Sequence, residues 1–150
     1  MSSTTRRKAN RQRPRTTSEE RAAKVEALTA GLHDAVTGLT SSEEWARVLA
    51  TAAKFHRYSA RNAMLLWAQA EQRGMQLTRV AGYRRWLELA RQVRKGEKAL
   101  GVIAPVRRQL TAEEAAQRAK QGRPAYDSAG RPAKVIMGFK VENVFDLSQT

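Results

Sequence analysis

Tyr83-Arg84-Arg85-Trp86-Leu87-Glu88-Leu89-Ala90 runs into Arg91-Gln92-Val93-Arg94-Lys95-Gly96-Glu97-Lys98 and then into Ala99-Leu100-Gly101-Val102-Ile103-Ala104-Pro105-Val106. Tyr83, Trp86, Leu87 and Ala90 fall at i, i+3, i+4 and i+7, the spacing of one helical face. Residues 99–106 are rich in branched side chains and read as a strand, with Pro105 near its end or on an edge. The turn between them gathers Arg91, Arg94, Lys95 and Lys98 around Gly96, which takes φ > 0 without steric cost and lets a backbone approach closely. A helix passed to a strand through a basic reversal indicates an α+β domain and a loop suited to phosphate.

Upstream, the pattern is helical. Thr17-Ser18-Glu19-Glu20 has the form of a capping box, after which Val25, Leu28, Leu32 and Val36 recur at helical spacing as far as Gly38. A second box, Ser41-Ser42-Glu43-Glu44, opens a helix whose Trp45, Val48, Leu49, Ala52 and Phe55 are expected to form one buried face. Ser59 caps a third helix that ends at Gly74, and its interior is apolar nearly all round, which marks a central helix packed on more than one side. Residues 77–80 are too few to classify.

Downstream, residues 135–145 carry a second strand pattern that alternates imperfectly around Gly138 and so suggests a bulge or bend. It is expected to pair antiparallel with residues 99–106. Between the two, Thr111-Ala112-Glu113-Glu114 caps a small polar helix, and the turn-rich segment from Gly122 to Pro132 makes this insert an expected mobile element. The fold class is therefore α+β, with N-terminal helices packed on a small antiparallel β-sheet.

Charge narrows the partner. The 150 residues hold 28 Lys and Arg against 14 Asp and Glu, a formal net charge of +14, so an anionic polymer is the natural ligand. Residues 1–17 carry six cations and no acid with almost nothing apolar to bury, which predicts a disordered basic arm ahead of one domain over 18–150. The absence of cysteine excludes a disulfide framework, a thiolate nucleophile and a cysteine zinc site. With no membrane-length apolar run and no signal-peptide core, a cytoplasmic location is expected. His33 and His56 lie in different helices and belong to no close ligand set, so no metal, cofactor or enzyme activity is expected.

Two constellations suit a nucleic acid. Tyr58, Asn62, Leu65 and Gln69 form one helical stripe, with Arg57 and Ser59 beside its start; the phenol can stack on a base and the amides can read its edge. Equally, the amides can bond to neighbouring backbone while Tyr58 packs inward. Trp86 beside Arg84, Arg85 and Arg91 has the aromatic-with-cations form of single-strand sites, yet it also lies on the apolar stripe of its helix, whereas Tyr83 is the more reachable ring. The candidate DNA-binding set is Arg57, Tyr58, Ser59, Asn62, Gln69, Tyr83, Arg84, Trp86, Arg91, Arg94, Lys95, Gly96 and Lys98.

Five segments taken in order carry a resemblance: Tyr58-Ser59 with Asn62, Leu65-Leu66 and Gln69; Thr78 with Val80-Ala81-Gly82-Tyr83 and Trp86; Arg91 with Val93 and Lys95-Gly96-Glu97-Lys98; Ile103 with Pro105; and Phe139 with Val144-Phe145-Asp146 and Ser148-Gln149-Thr150. Over about residues 40–150 the chain resembles the amino-terminal domain of the ArdC antirestriction family. The resemblance implies an α+β domain that binds single-stranded DNA and protects the DNA of plasmids and other mobile elements from restriction. It places Tyr58, Asn62 and the 91–98 turn in the family's core pattern. Two departures stand out. Ala90 occupies a position where the family usually has glycine, so a differently shaped approach to the turn is expected. Many members also continue into a metalloprotease-like domain that this sequence lacks, so protease activity is not carried over. The alternatives are an interaction module that docks a separately encoded metalloprotease or conjugation partner, and an RNA-binding protein. A net of +14 is incompatible with imitation of DNA, which needs an acidic surface.

Overall fold

Three capping boxes fix where helices begin. In the computed structural model, which describes residues 15–150, Thr17 Oγ1 accepts from Glu20 N and Glu20 Oε2 accepts from Thr17 N, and the same exchange joins Ser41 to Glu44 and Thr111 to Glu114. Most of the basic arm expected over 1–17 lies outside the described residues. The elements in chain order are α1 (Ser18–Thr37), α2 (Ser42–Lys54), α3 (Ala60–Arg73), β1 (Val80–Gly82), α4 (Tyr83–Glu88), β2 (Leu100–Gln109), α5 (Ala112–Lys120) and β3 (Lys134–Asp146), followed by a short 3₁₀ turn at Leu147–Gln149. The strands form one antiparallel sheet in the order β1-β3-β2. The expected α+β class and the antiparallel pairing of the two long strands are both observed.

α3 is the central helix because two cores meet on it. Ala63, Leu66 and Ala70 pack with Phe55, Leu77, Leu100, Val102 and Val144, while Trp67 and Ala68 pack with Val48 of α2 and Leu32, Ala35 and Val36 of α1. Burying a large apolar side chain contributes about 1.5–3 kcal/mol, so α3 anchors the domain. The expected single buried face of α2 needs correction: Val48 and Phe55 are buried, but Trp45 is 42% and Leu49 67% exposed. The physical reason is that α2 has α3 as its main neighbour, and one neighbour covers only the Val48–Phe55 side of the apolar stripe.

β2 is an edge strand, and α3 covers part of that edge with side chains. Asn62 Nδ2 donates to Ile103 O (2.9 Å) and Ile103 N donates to Asn62 Oδ1 (2.8 Å). One step along, Gln69 Nε2 donates to Gly101 O and Gly101 N donates to Gln69 Oε1, both at 2.8 Å. Two amides seven residues apart on a helix thus pair as a neighbouring strand would, closing backbone groups that otherwise template association. Pro105, whose missing N–H suits an edge, continues the strand beyond them.

The irregularity expected at Gly138 is a β-bulge. Val106 pairs with Gly138 and Arg107 with Ile136, leaving Met137 as the extra residue on β3. The insert is tied down rather than loose: Leu110, Ala115, Ala125 and Val135 make a small core, and Ala133 N bonds Ala125 O at 2.9 Å. Both terminal nitrogens of Arg108 donate to Glu114 at 2.9 Å, and this holds the carboxyl down at about 2.

Candidate nucleic-acid interface

The basic turn is built from its ends inward. α4 closes in a Schellman motif in which Arg91 N donates to Trp86 O (2.8 Å) and Ala90 N donates to Leu87 O (3.0 Å). That motif requires a left-handed residue at position 90, and Ala90 adopts it with φ of 58°, the only non-glycine with positive φ among the described residues. The approach to the turn therefore has the shape a glycine would give, at a cost in strain. Gly96 reverses the chain at φ of 87°, as its place in the sequence requires.

A five-residue segment then locks the turn from behind. Arg94 N donates to Gln149 O (2.9 Å), and its guanidinium reaches Ser148 O (2.7 Å) and Glu97 Oε1 (2.8 Å). Arg91 Nε donates to Thr150 Oγ1 at 2.7 Å. Gln149, nearly fully buried, donates to Lys98 O (2.7 Å) and Glu97 Oε2 (3.2 Å), while its Oε1 accepts from Asp146 N (2.9 Å). Asp146 is completely buried, and nothing in the local sequence of an acid at a strand end signals that burial. Its carboxylate accepts from Ser148 Oγ (2.6 Å), Ser148 N (3.0 Å), Thr78 N (2.8 Å) and Arg79 N (3.2 Å). Burial pushes this carboxyl up, but the bonds from Ser148, Thr78 and Arg79 outweigh burial and hold it below the usual carboxylate range.

These contacts sort the sequence-derived residues. Asn62 and Gln69 have both ends of their amides engaged by β2, which is the structural of their two readings, so neither is free to read a base. Ser59 is the N-cap of α3, its hydroxyl accepting from Asn62 N at 3.1 Å. Trp86 is 1% exposed with Nε1 donated to Phe145 O (2.9 Å), so it is core and offers no ring to a base. Arg91 and Arg94 hold the turn together, and Glu97 offsets the charge of Arg94. Arg57, Arg84, Lys95 and Lys98 are exposed, and their side chains meet no hydrogen-bond or ion-pair partner among the described residues.

Two tyrosines flank the edge strand β1. The half-buried Tyr58 packs edge-on against Phe55 with ring centroids 6.2 Å apart, and its hydroxyl donates to Val80 O at 3.4 Å; burial and the Glu142 carboxylate raise its pKa. Tyr83 follows Gly82 directly, stands 45% exposed and edge-on to Phe145 at 6.5 Å, and its hydroxyl accepts from Gln92 Nε2 at 2.8 Å. Their neighbours Val144 and Phe145 are consecutive on β3 and face opposite sides of the sheet, so Arg57-Tyr58 and Tyr83-Arg84 border β1 from its two faces. The described residues contain no cluster of three or more His, Cys, Asp or Glu able to hold a metal ion. Nor does any helix among them have the length and apolarity to cross a membrane.

Helices on a three-stranded antiparallel sheet, with a cationic turn braced by a buried carboxylate, define a small basic α+β module. Residues 7–145 match the family model described as the N-terminal domain of anti-restriction factor ArdC, which spans nearly the whole chain, and the protein belongs to that family. No curated protein and no solved structure matched the chain.

Proposed function

We propose that this domain binds single-stranded DNA with little sequence preference and serves antirestriction by covering DNA rather than cutting it or imitating it. The observation that carries the reading is the border of β1, where exposed Arg57 and Arg84 stand beside Tyr58 and Tyr83, with unpartnered Lys95 and Lys98 on the braced turn that follows α4. Cations neutralise phosphates without reading sequence, and an aromatic ring accepts any unpaired base, worth about 1–3 kcal/mol per stacked base. Asn62, Gln69 and Trp86 have no part in this surface. The domain's own contribution is binding, with no catalytic step assigned to it, and a cytoplasmic location fits that role.

A fluorescence-anisotropy competition among single-stranded DNA, duplex DNA and RNA of equal length tests the proposal. Tightest binding to the DNA single strand is expected, with log K falling against log salt by about 0.7 per phosphate neutralised. Equal or tighter binding to duplex refutes single-strand recognition, and preference for RNA shifts the assignment to the RNA-binding alternative. The alternative of docking a separately encoded metalloprotease-like or conjugation partner has one observation in its favour, the exposed Trp45 and Leu49 on the outer side of α2. A salt-independent, negligible affinity for all three nucleic acids supports that alternative.

A further inference from the structure

A groove of about 750 Å³ runs along α1, from Ser18 to Asp34, against the bulged part of β3. Its apolar walls are Ala22 and Val25 on one side and Met137 and Phe139 on the other, and Arg21 and Arg61 line it as well. Met137 is the extra residue of the bulge, and Met137 and Phe139 on this wall stand 56% and 51% exposed. Arg61 is held on the wall by donating to Thr29 Oγ1 at 3.0 Å, and Thr29 Oγ1 is itself anchored to Val25 O at 2.8 Å.

We propose that this groove is a second nucleobase site, in which the Phe139 ring stacks on an unpaired base and Arg21 and Arg61 take the flanking phosphates. The inference deepens the single-strand reading and rests on it. An exposed aromatic ring in an apolar slot with two arginines matches what a base and its phosphates offer. Glu26 and Asp34 also line the groove and equal Arg21 and Arg61 in number, so stacking rather than net charge supplies the attraction. Phe139 and Phe145 are six residues apart on β3, about 20 Å at the rise of a strand, with Leu28 of α1 packed near Gly101 and Val141 between them, so the groove is a site separate from the border of β1.

The test is binding of a fluorescent 20-mer of thymidine to the full chain carrying Phe139→Leu, which keeps an apolar side chain and removes the π-face. Affinity is expected to fall roughly 5-fold or more, by a factor that changes little with salt, while the melting temperature stays put. An abasic strand of equal length should bind wild type and variant alike. As a readout that needs no variant, 5-iododeoxyuridine in the 20-mer should crosslink on irradiation to the wild-type peptide containing residues 137–140. Wild-type affinity in the Phe139→Leu protein, or crosslinks confined to Tyr83 and its neighbours, overturns the groove while leaving single-strand binding intact. Failure of the wild type to retain the 20-mer overturns the single-strand reading and this site with it.

Discussion

Replacing Ala90 with glycine should stabilise the protein, against the usual expectation for glycine. Ala90 is held at φ of 58° because the Schellman motif that ends α4 leaves no other conformation for the residue before Arg91. The left-handed region costs an L-residue about 1–2 kcal/mol, which glycine does not incur. Against that, glycine loosens the unfolded chain by about 0.4–1 kcal/mol, and the deleted methyl is exposed, so its loss takes little packing with it. The balance is a gain of about 0.5–1 kcal/mol, or roughly 1–4 °C in melting temperature for a chain of this size. Urea titration should move the midpoint upward at unchanged m, and Ala90→Val, β-branched at a left-handed position, should move it downward. An Ala90→Gly protein that melts at or below the parent refutes the argument, since it means the turn carries no strain there.

The two neighbouring cations of the turn should separate structure from binding: Lys95→Glu weakens single-strand affinity at an unchanged melt, whereas Arg94→Glu, which loses its bonds to Ser148 O and Glu97, costs about 1–3 kcal/mol of stability in the same pair of assays. Asn62→Leu leaves the Ile103 N–H and C=O without their partner and should cost about 2 kcal/mol or more by urea unfolding, with self-association visible by light scattering. The pH dependence follows from Asp146 and Glu114, both titrating below their unfolded values. The unfolded chain therefore binds more protons in acid, so the stability these groups confer is fully present above about pH 4.5 and disappears as pH falls toward the value of about 2 at which folded Glu114 titrates. A melting temperature level above about pH 5 and falling below it is expected, with a shallower fall in Asp146→Asn; an acid limb unchanged by that substitution contradicts the role assigned to the carboxylate.

Local chemistry was legible in the sequence and remote pairing was not. Thr17 with Glu20, Ser41 with Glu44 and Thr111 with Glu114 satisfy one another within three residues, so the helix starts could be read directly, as could the reversals at Gly74 and Gly96. β1 escaped because its three residues acquire strand character only by pairing with residues 144–146. For Asn62 and Gln69 the helical stripe was visible, but its two readings differed only in whether backbone lay opposite, and the backbone in question is 41 and 32 residues away. Asp146 was hidden for the same reason, since two of its donors come from Thr78 and Arg79. Periodicity likewise showed that α2 is amphipathic without showing how much of its apolar stripe a neighbour covers, which left Trp45 and Leu49 misplaced.

The amide pairing of α3 with β2 also sets an order of events during synthesis. Residues 60–73 leave the ribosome before residues 100–109, so the helix bearing Asn62 and Gln69 is available by the time β2 emerges, while β3 is still to come. A nascent strand with two open edges is exposed to other growing chains, and the long-range pairing that completes a sheet is the slow step. With α3 already holding Gly101 and Ile103, that stretch of β2 offers a single free edge, the one β3 is about to occupy. The half-made domain thus waits for its own last strand with little open backbone for a stranger to seize.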